Sequence, residues 1–280
     1  MSVDGEPLSA GFYLSDVYRI CHTITDQRAY DTLFEAIVAE NVNAILPTSA
    51  SDTPVFAAKK NELAKNGIVF AGCDDSAVNT CDDKASFYRA VQSKFHVPRA
   101  IELIERFPSE FPCYIKPRCG SGGHGGALCR DERDWNYFRP DIDDLIVQEY
   151  LPGKEYSVDV LCDLDGVPIV AVPRERISTM DGVSVRCKVV RHEEMEDSCL
   201  RMARFLGIKG AACMQLKCDR DGRLHFLEVN ARLGGSNIVT TLAGVNFPQL
   251  LLSMVRGNAP SAPNIREITV LRFFDEVEVR

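Results

Sequence analysis

Phe226–Arg232 reads FLEVNAR, the arm before it, Ala211–Cys218, reads AACMQLKC, and Asp221-Gly222 lies between them. Aspartate and glycine between two runs of alternating apolar residues predict a β-hairpin, because glycine takes up the backbone angles a tight turn demands. Side chains two apart on a strand share a face. Glu228, Asn230 and Arg232 therefore project together, opposite to Leu227 and Val229, and Gln215 stands on the facing arm. A carboxylate beside amide oxygens suits Mg2+ (or Mn2+), which keeps several waters and is usually held by one or two protein carboxylates together with substrate phosphates. The guanidinium of Arg232 has the planar fork that grips a phosphoryl group or a carboxylate. Leu233–Ser236, LGGS, then turns the chain into a helix starting near Asn237. Taken alone, the same spacing is that of a polar stripe on a solvent face.

Upstream, Cys119–Gly126 reads CGSGGHGG between the strand FPCYIKP and the strand-like ALCR. Glycine lets backbone N–H groups close over phosphate oxygens. The loop is neither a Walker A sequence, since no G-K-[ST] follows, nor a dinucleotide fingerprint opening a helix. Lys116 sits on the strand that enters it, and Lys84 begins a helix after CDD. Either lysine could equally snorkel to water from an edge strand or a helix surface. VQEYLPGKEYSV, Val147–Val158, runs a strand into a Pro-Gly turn, where backbone groups of Glu149 and Leu151 could read a base edge and Glu155 could hold ribose hydroxyls.

Around these motifs the chain changes character. Between Ala29 and Gly72, helical YDTLFEAIVAEN and KKNELAKNG alternate with short apolar NAILP and GIVFAG, as in a parallel α/β lobe with crossover helices;. Ser2–Asp4 reads like the end of a strand, so that lobe looks short at its start. A helix is expected over Asp82–Phe95 and another over Ala100–Arg106. Beyond them strands dominate: DLIVQEYL, EYSVDVLCDLDG and VPIVAVPRERI read as antiparallel strands with a turn at Asp163–Gly166 between the last two, a helix spans Glu193–Leu206, and ITVLRFFDEVEVR closes the set;. The fold class expected is α/β, turning to α+β in the C-terminal part. The divisions expected are 1–82, a small α/β lobe, and 83–280, split into 83–150 with the glycine loop and 151–280 with the hairpin.

The 280 residues carry a net charge of −8 and a pI near 5.2, which speaks against a duplex-binding surface, since phosphate backbones are met by clustered Lys and Arg;. Eleven cysteines without a C-x-x-C pair read as reduced thiols, the opening Met1–Ala10 lacks the basic and apolar stretches of a signal peptide, and no apolar run reaches membrane-spanning length;. A cytoplasmic protein with no membrane or nucleic-acid partner is expected. For assembly, only the general frequency of homodimers speaks.

In order, DK, YIKP with its glycine loop, QEYLPGKE, Gln215 and LEVNAR resemble the ATP-grasp superfamily, most of all the carbamoyl phosphate synthetase large subunit and its small stand-alone relatives. The resemblance covers nearly the whole chain. It implies two α+β lobes gripping ATP, preceded by a shortened Rossmann-like lobe. It implies that Lys84 and Lys116 contact phosphates under a mobile loop of Ser121, Gly122, Gly123, His124 and Gly125. Gln148, Glu149, Tyr150 and Leu151 match the adenine hinge, and Glu155 the ribose ligand. Gln215, Glu228 and Asn230 match the metal ligands, Gln215 replacing the aspartate of many members as in the carbamoyl phosphate synthetase branch. Arg232 matches the arginine beside the transferred phosphate, and Arg174 and Arg176 are placed two apart to face the same cleft. The activity implied is joining of a small-molecule carboxylate to an amine (or thiol) through an acyl phosphate. The alternatives are a carbamate- or carboxylate-phosphorylating enzyme and an ATP-binding module without turnover.

Overall fold

The computed structural model describes residues 1–21, 24, 26–104, 107–120, 125–139, 144–260, 263–273, 275, 276 and 278. Its first part holds two short parallel pairs, β1 (Ser2–Asp4) with β2 (Tyr18–Ile20) and β3 (Ala44–Ile45) with β4 (Val69–Phe70). Parallel strands need a crossover, and α1 (Gln27–Ala39) links the pairs while α2 (Thr53–Ala58) and α3 (Lys60–Lys65) link β3 to β4;. Asp26 caps α1 by accepting from Ala29 N at 2.9 Å, and Tyr30, Leu33 and Ile37 form its buried stripe;. The βα alternation expected from the sequence is found.

The helix expected over Asp82–Phe95 is found as α5 (Lys84–Val91), and a further helix not foreseen, α4 (Asp75–Asp82), precedes it. Asp83 breaks the run because its carboxylate turns back to accept from Ala85 N at 3.0 Å, capping α5;. The helix expected over Ala100–Arg106, by contrast, is corrected. Leu103–Ile104, β5, pairs with Phe107–Pro108, β6, and Glu105 and Arg106 lie outside the described residues. Ile101 N donates to Val147 O at 2.9 Å, so the segment is pinned to a strand, and so short a stretch gains too little from helix propensity to resist that pairing;.

A three-stranded antiparallel sheet follows, ordered β8 (Ala127–Cys129), β7 (Cys113–Pro117), β9 (Leu145–Glu149). Its own core gathers Ile101, Ile115, Val147 and Trp135, the last from α6 (Glu132–Phe138). DLIVQEYL and EYSVDVLC are antiparallel strands as expected, but of different sheets: β9 belongs to this smaller sheet, and Pro152-Gly153 carries the chain across to the next. Gly153 has to be glycine, since a Cβ there would sit 2.6 Å from Cys218 Cβ;.

The larger sheet is antiparallel throughout, ordered β14-β13-β10-β11-β12-β15, from β10 (Glu155–Cys162), β11 (Pro168–Met180), β12 (Val183–Val189), β13 (Ala211–Cys218), β14 (Leu224–Asn230) and β15 (Thr269–Leu271). The hairpin of β13 and β14 and the edge position of β15 match expectation; β12 and α6 were not foreseen. One face packs Val158, Val160, Met214 and Leu216 against α7 (Glu193–Leu206), and the residues of the first α/β part join the same core. Across the edge of the other face lie α8 (Asn237–Leu242) and α9 (Phe247–Val255). Among the described residues no helix is long and apolar enough to cross a membrane.

Candidate functional site

Between the two antiparallel sheets lies a cavity of about 390 Å³, within the range of small-molecule sites;. Lys116 enters it from β7, the central strand of the smaller sheet and not an edge strand. It is buried, and its Nζ donates to Tyr88 Oη at 2.8 Å and to Leu227 O at 3.2 Å. That carbonyl is free to accept because the ladder of β13 and β14 slips at this point: Gln215 pairs with Glu228 and Leu216 with Phe226, leaving Leu227 as a bulge;. Burial pushes the Lys116 ammonium down from 10.5 to about 8; Lys84 adds to the effect, and Glu228 opposes it;.

Lys84 is the first residue of α5. Its Nζ donates to Gly120 O at 2.8 Å and stands 3.8 Å from Glu228 Oε2. Two buried ammonium groups thus line one cavity, Lys84 near the carboxylate of Glu228 and Lys116 on neutral oxygens, and an incoming anion would neutralise them;. The near stem of the glycine loop, Cys119 and Gly120, lines the cavity, and so does Gly126 at its far end. Gly125 holds φ +74°, and a Cβ on it would lie 2.9 Å from Pro117 Cγ. Ser121, Gly122, Gly123 and His124 lie outside the described residues.

Gln215, Glu228 and Asn230 share the cavity side of the sheet, as their spacing predicts, the bulge falling before Glu228 and leaving the pair in step. Glu228 Oε1 accepts from Asn230 Nδ2 at 3.0 Å. One carboxylate and two amide oxygens form an incomplete shell for Mg2+, and among the described residues no group of three or more His, Cys, Asp or Glu is placed to hold a metal. The donor set fits an ion held partly by phosphate oxygens and water.

Gln148, Tyr150 and Leu151 also line the cavity. Gln148 Oε1 and Leu227 O both face the Tyr88 hydroxyl, at 3.0 and 2.9 Å, so its single proton serves one or the other while its oxygen accepts from Lys116;. Burial raises the Tyr88 phenol well above its ordinary range. Glu149 does not line the cavity; its carboxylate accepts from Arg99 N at 2.8 Å. Glu155 does line it, held by Arg176 Nε at 2.9 Å and faced by Lys217 Nζ at 3.7 Å.

Arg174 and Arg176, expected to share the cleft, part company. Arg176 reaches the cavity, donating to Ser157 Oγ at 2.9 Å and Gly182 O at 3.0 Å. Arg174 is 1 % exposed, paired with Asp159 at 2.6 Å and bonded to Ser236 O. α8 covers this stretch, Asn237 Nδ2 and Thr240 Oγ1 both donating to Asp159 Oδ2. Arg232, past the end of β14, donates to Asn230 Oδ1 at 3.3 Å and Leu233 O at 3.0 Å. With Asn230 it lines a second cavity of about 30 Å³ that shares Lys84, Gly120 and Glu228 with the first and is closed by Ala50, Pro54 and Val78 of the N-terminal part.

Sequence reading missed Tyr88, Tyr114 and Lys217. Each had a signal: Tyr88 lies four residues after Lys84 on one helix face, while Tyr114 and Lys217 lie two residues from Lys116 and Gln215 on strands;.

Residues 141–275 match the family model described as ATP-grasp in the biosynthetic pathway with Ter operon. The carbamoyl phosphate synthase large chain of Halomonas eurihalina is 25% identical over 256 residues, covering 81% of this chain and 24% of that protein. The chain thus spans about a quarter of the length of that relative. The D-alanine--D-alanine ligase of a Thermotoga species is 27% identical over 59% of this chain and 61% of its own. Among solved structures, biotin carboxylase of Campylobacter jejuni in complex with β,γ-ATP superposes with a TM-score of 0.72 at 18% identity, over 91% of this chain and 65% of that one. The L-amino acid ligase of Bacillus licheniformis superposes with a TM-score of 0.66 at 16% identity, over 86% of this chain and 63% of that one. These likenesses show the ATP-grasp fold.

Proposed function

We propose that this chain, an ATP-grasp protein homologous to the carbamoyl phosphate synthase large chain, binds ATP with Mg2+ between its two antiparallel sheets and joins a small-molecule carboxylate to an amine (or thiol) through an acyl phosphate. The observation that carries the reading is that two buried lysines, Lys84 and Lys116, line one cavity with Glu228, and that Lys116 meets only neutral oxygens there. Residues 1–82 form the N-terminal lobe, 83–150 the lid lobe and 151–280 the metal and substrate lobe.

Lys84 and Lys116 hold the phosphates beside Gly120 and Gly126, which line the same cavity. Tyr150 and Leu151 pack the base, Gln148 is fixed behind it by Tyr88, and Glu155 takes the ribose hydroxyls while Arg176 keeps its carboxylate in place. Gln215, Glu228 and Asn230 would hold Mg2+, which when bound neutralises charge on the phosphates. Phosphoryl transfer of this kind depends on positioning and electrostatics, so a nucleophilic serine or cysteine is not required. Arg232, at the mouth of the smaller cavity, orients the attacking carboxylate next to the phosphates held by Lys84. The narrowness of that cavity favours a small acid.

The test is calorimetric titration with ATP and Mg2+, followed by ADP release with bicarbonate, amino acids and hydroxy acids, and trapping of any acyl phosphate with hydroxylamine. ATP binding with acid-stimulated ADP release and a hydroxamate product supports the ligase reading. If ATP binds and no acid raises turnover, that reading falls and a nucleotide-binding module remains.

A further inference from the structure

Neither Arg118 nor Asp83 lines either cavity, yet they join the two elements on which the phosphate end of the site depends. Arg118 is the first residue after β7, where the glycine loop begins; Asp83 is the cap of α5, directly before Lys84. The Arg118 guanidinium meets the Asp83 carboxylate as a fork, Nε to Oδ1 and the second nitrogen to Oδ2, both at 2.7 Å. Asp83 also accepts from Ala85 N at 3.0 Å and Ser86 Oγ at 2.6 Å. The backbones are tied as well: Lys84 N donates to Arg118 O at 3.1 Å, and Arg118 N to Asp144 O at 2.9 Å. Lys84 Nζ completes the tie by donating to Gly120 O.

These bonds span two separate cores. α5 buries Phe87 and Val91 in the main core, whereas β7 buries Cys113 and Ile115 in the small core around Trp135. Tyr88 ties α5 to Lys116 and Gln148 one helical turn further on, but that contact does not set the angle between the stem of the loop and Lys84. A bidentate Arg–carboxylate pair does, because its two parallel bonds fix angle as well as distance. Arg118 holds the Asp83 carboxyl well below the usual carboxylate range, so the fork stays ionised through neutral and mildly acidic pH.

We infer that Asp83 and Arg118 are a positioning pair for the nucleotide phosphates, locking the stem of the glycine loop to the helix start that carries Lys84 so that both close on one anion. The inference rests on the nucleotide reading above. It implies a dependence on the phosphates and not on the nucleoside, which a merely structural tie would not produce.

The experiment uses the full chain with Asp83→Ser, which keeps a residue able to cap α5, Arg118→Gln, the double variant, and Arg118→Lys. Affinity is measured for ATP and ADP with Mg2+, and for adenosine by competition, alongside thermal melting. Each single variant is expected to lose about tenfold in ATP and ADP affinity, as for a displaced positioning group. The double variant is expected to lose no more than either single one, Arg118→Lys to fall between, and adenosine to bind unchanged. Equal losses for adenosine and ATP, additive losses in the double variant, or unaltered ATP affinity overturn the pair's role. No ATP binding by the unsubstituted chain overturns the nucleotide reading itself, and the pair's role with it. Should Asp83→Ser unfold, Arg118→Gln and Arg118→Lys carry the same comparison.

Discussion

Replacing Lys116 with methionine should stabilise the empty protein while removing its hold on ATP. The side chains are similar in length, so packing is largely kept. Holding the Lys116 ammonium at about 8 instead of 10.5 costs the empty fold roughly 3 kcal/mol at neutral pH;. Against this, the amine's hydrogen bonds to Tyr88 Oη and Leu227 O are lost, about 1 kcal/mol each;. Lys116→Met is therefore expected to be about 1 kcal/mol more stable at pH 7. The sign reverses on raising the pH: between about 8 and 10.5 the unfolded chain keeps a proton that the folded chain has released, so the wild-type protein gains stability and overtakes the variant. Urea unfolding followed through Trp135, the single tryptophan, buried in the small core, reads the difference at pH 7 and pH 10;. Mg-ATP at a hundred times its Kd should add about 2.7 kcal/mol to the wild-type protein and little to the variant. A variant more than about 1 kcal/mol less stable at pH 7, or one still stabilised by ATP, refutes the reasoning.

Asp159→Ala leaves the Arg174 guanidinium buried without its carboxylate and is expected to cost about 3–5 kcal/mol in urea unfolding, much of it recovered when Arg174→Met is added;. Glu228→Gln removes the carboxylate that stands 3.8 Å from Lys84; calorimetry should show ATP binding that no longer depends on Mg2+, and the unsubstituted chain should bind little Mg2+ without nucleotide;. Gly153→Ala drives a methyl group to 2.6 Å from Cys218 Cβ and 2.7 Å from Cys218 O, so melting should show a loss of about 1–3 kcal/mol and ATP affinity should fall as Glu155 shifts;.

The reach of the sequence is clearest where a local rule suffices. Period two put Glu228 and Asn230 on one face because that depends only on strand geometry, and Asp221-Gly222 marked its turn because the backbone angles there exclude most other residues;. Local rules failed where two segments compete or cover one another. Ala100–Arg106 carries helical apolar spacing, but the bond from Ile101 N to Val147 O draws it to a strand. Arg174 and Arg176 have identical spacing, and no local feature reveals that α8 will lie over one and stop short of the other. The bulge at Leu227, which turns a backbone carbonyl toward Lys116, falls inside the run Phe226-Leu227-Glu228, which reads the same with or without it.

By itself, then, the sequence determined which chemical groups are on hand and which share a strand face or a helix face: two lysines, a glycine loop, and a carboxylate among amide oxygens, in an order that resembles ATP-grasp proteins. Tertiary structure decided what those groups do to one another. Lys116 lies 111 residues from Leu227 and Lys84 is 144 residues from Glu228, and only the closing of the smaller sheet over the larger one brings them within a few ångströms. Burial then sets the charge balance of the cleft, because desolvation and Coulomb interactions depend on distance in space and not along the chain.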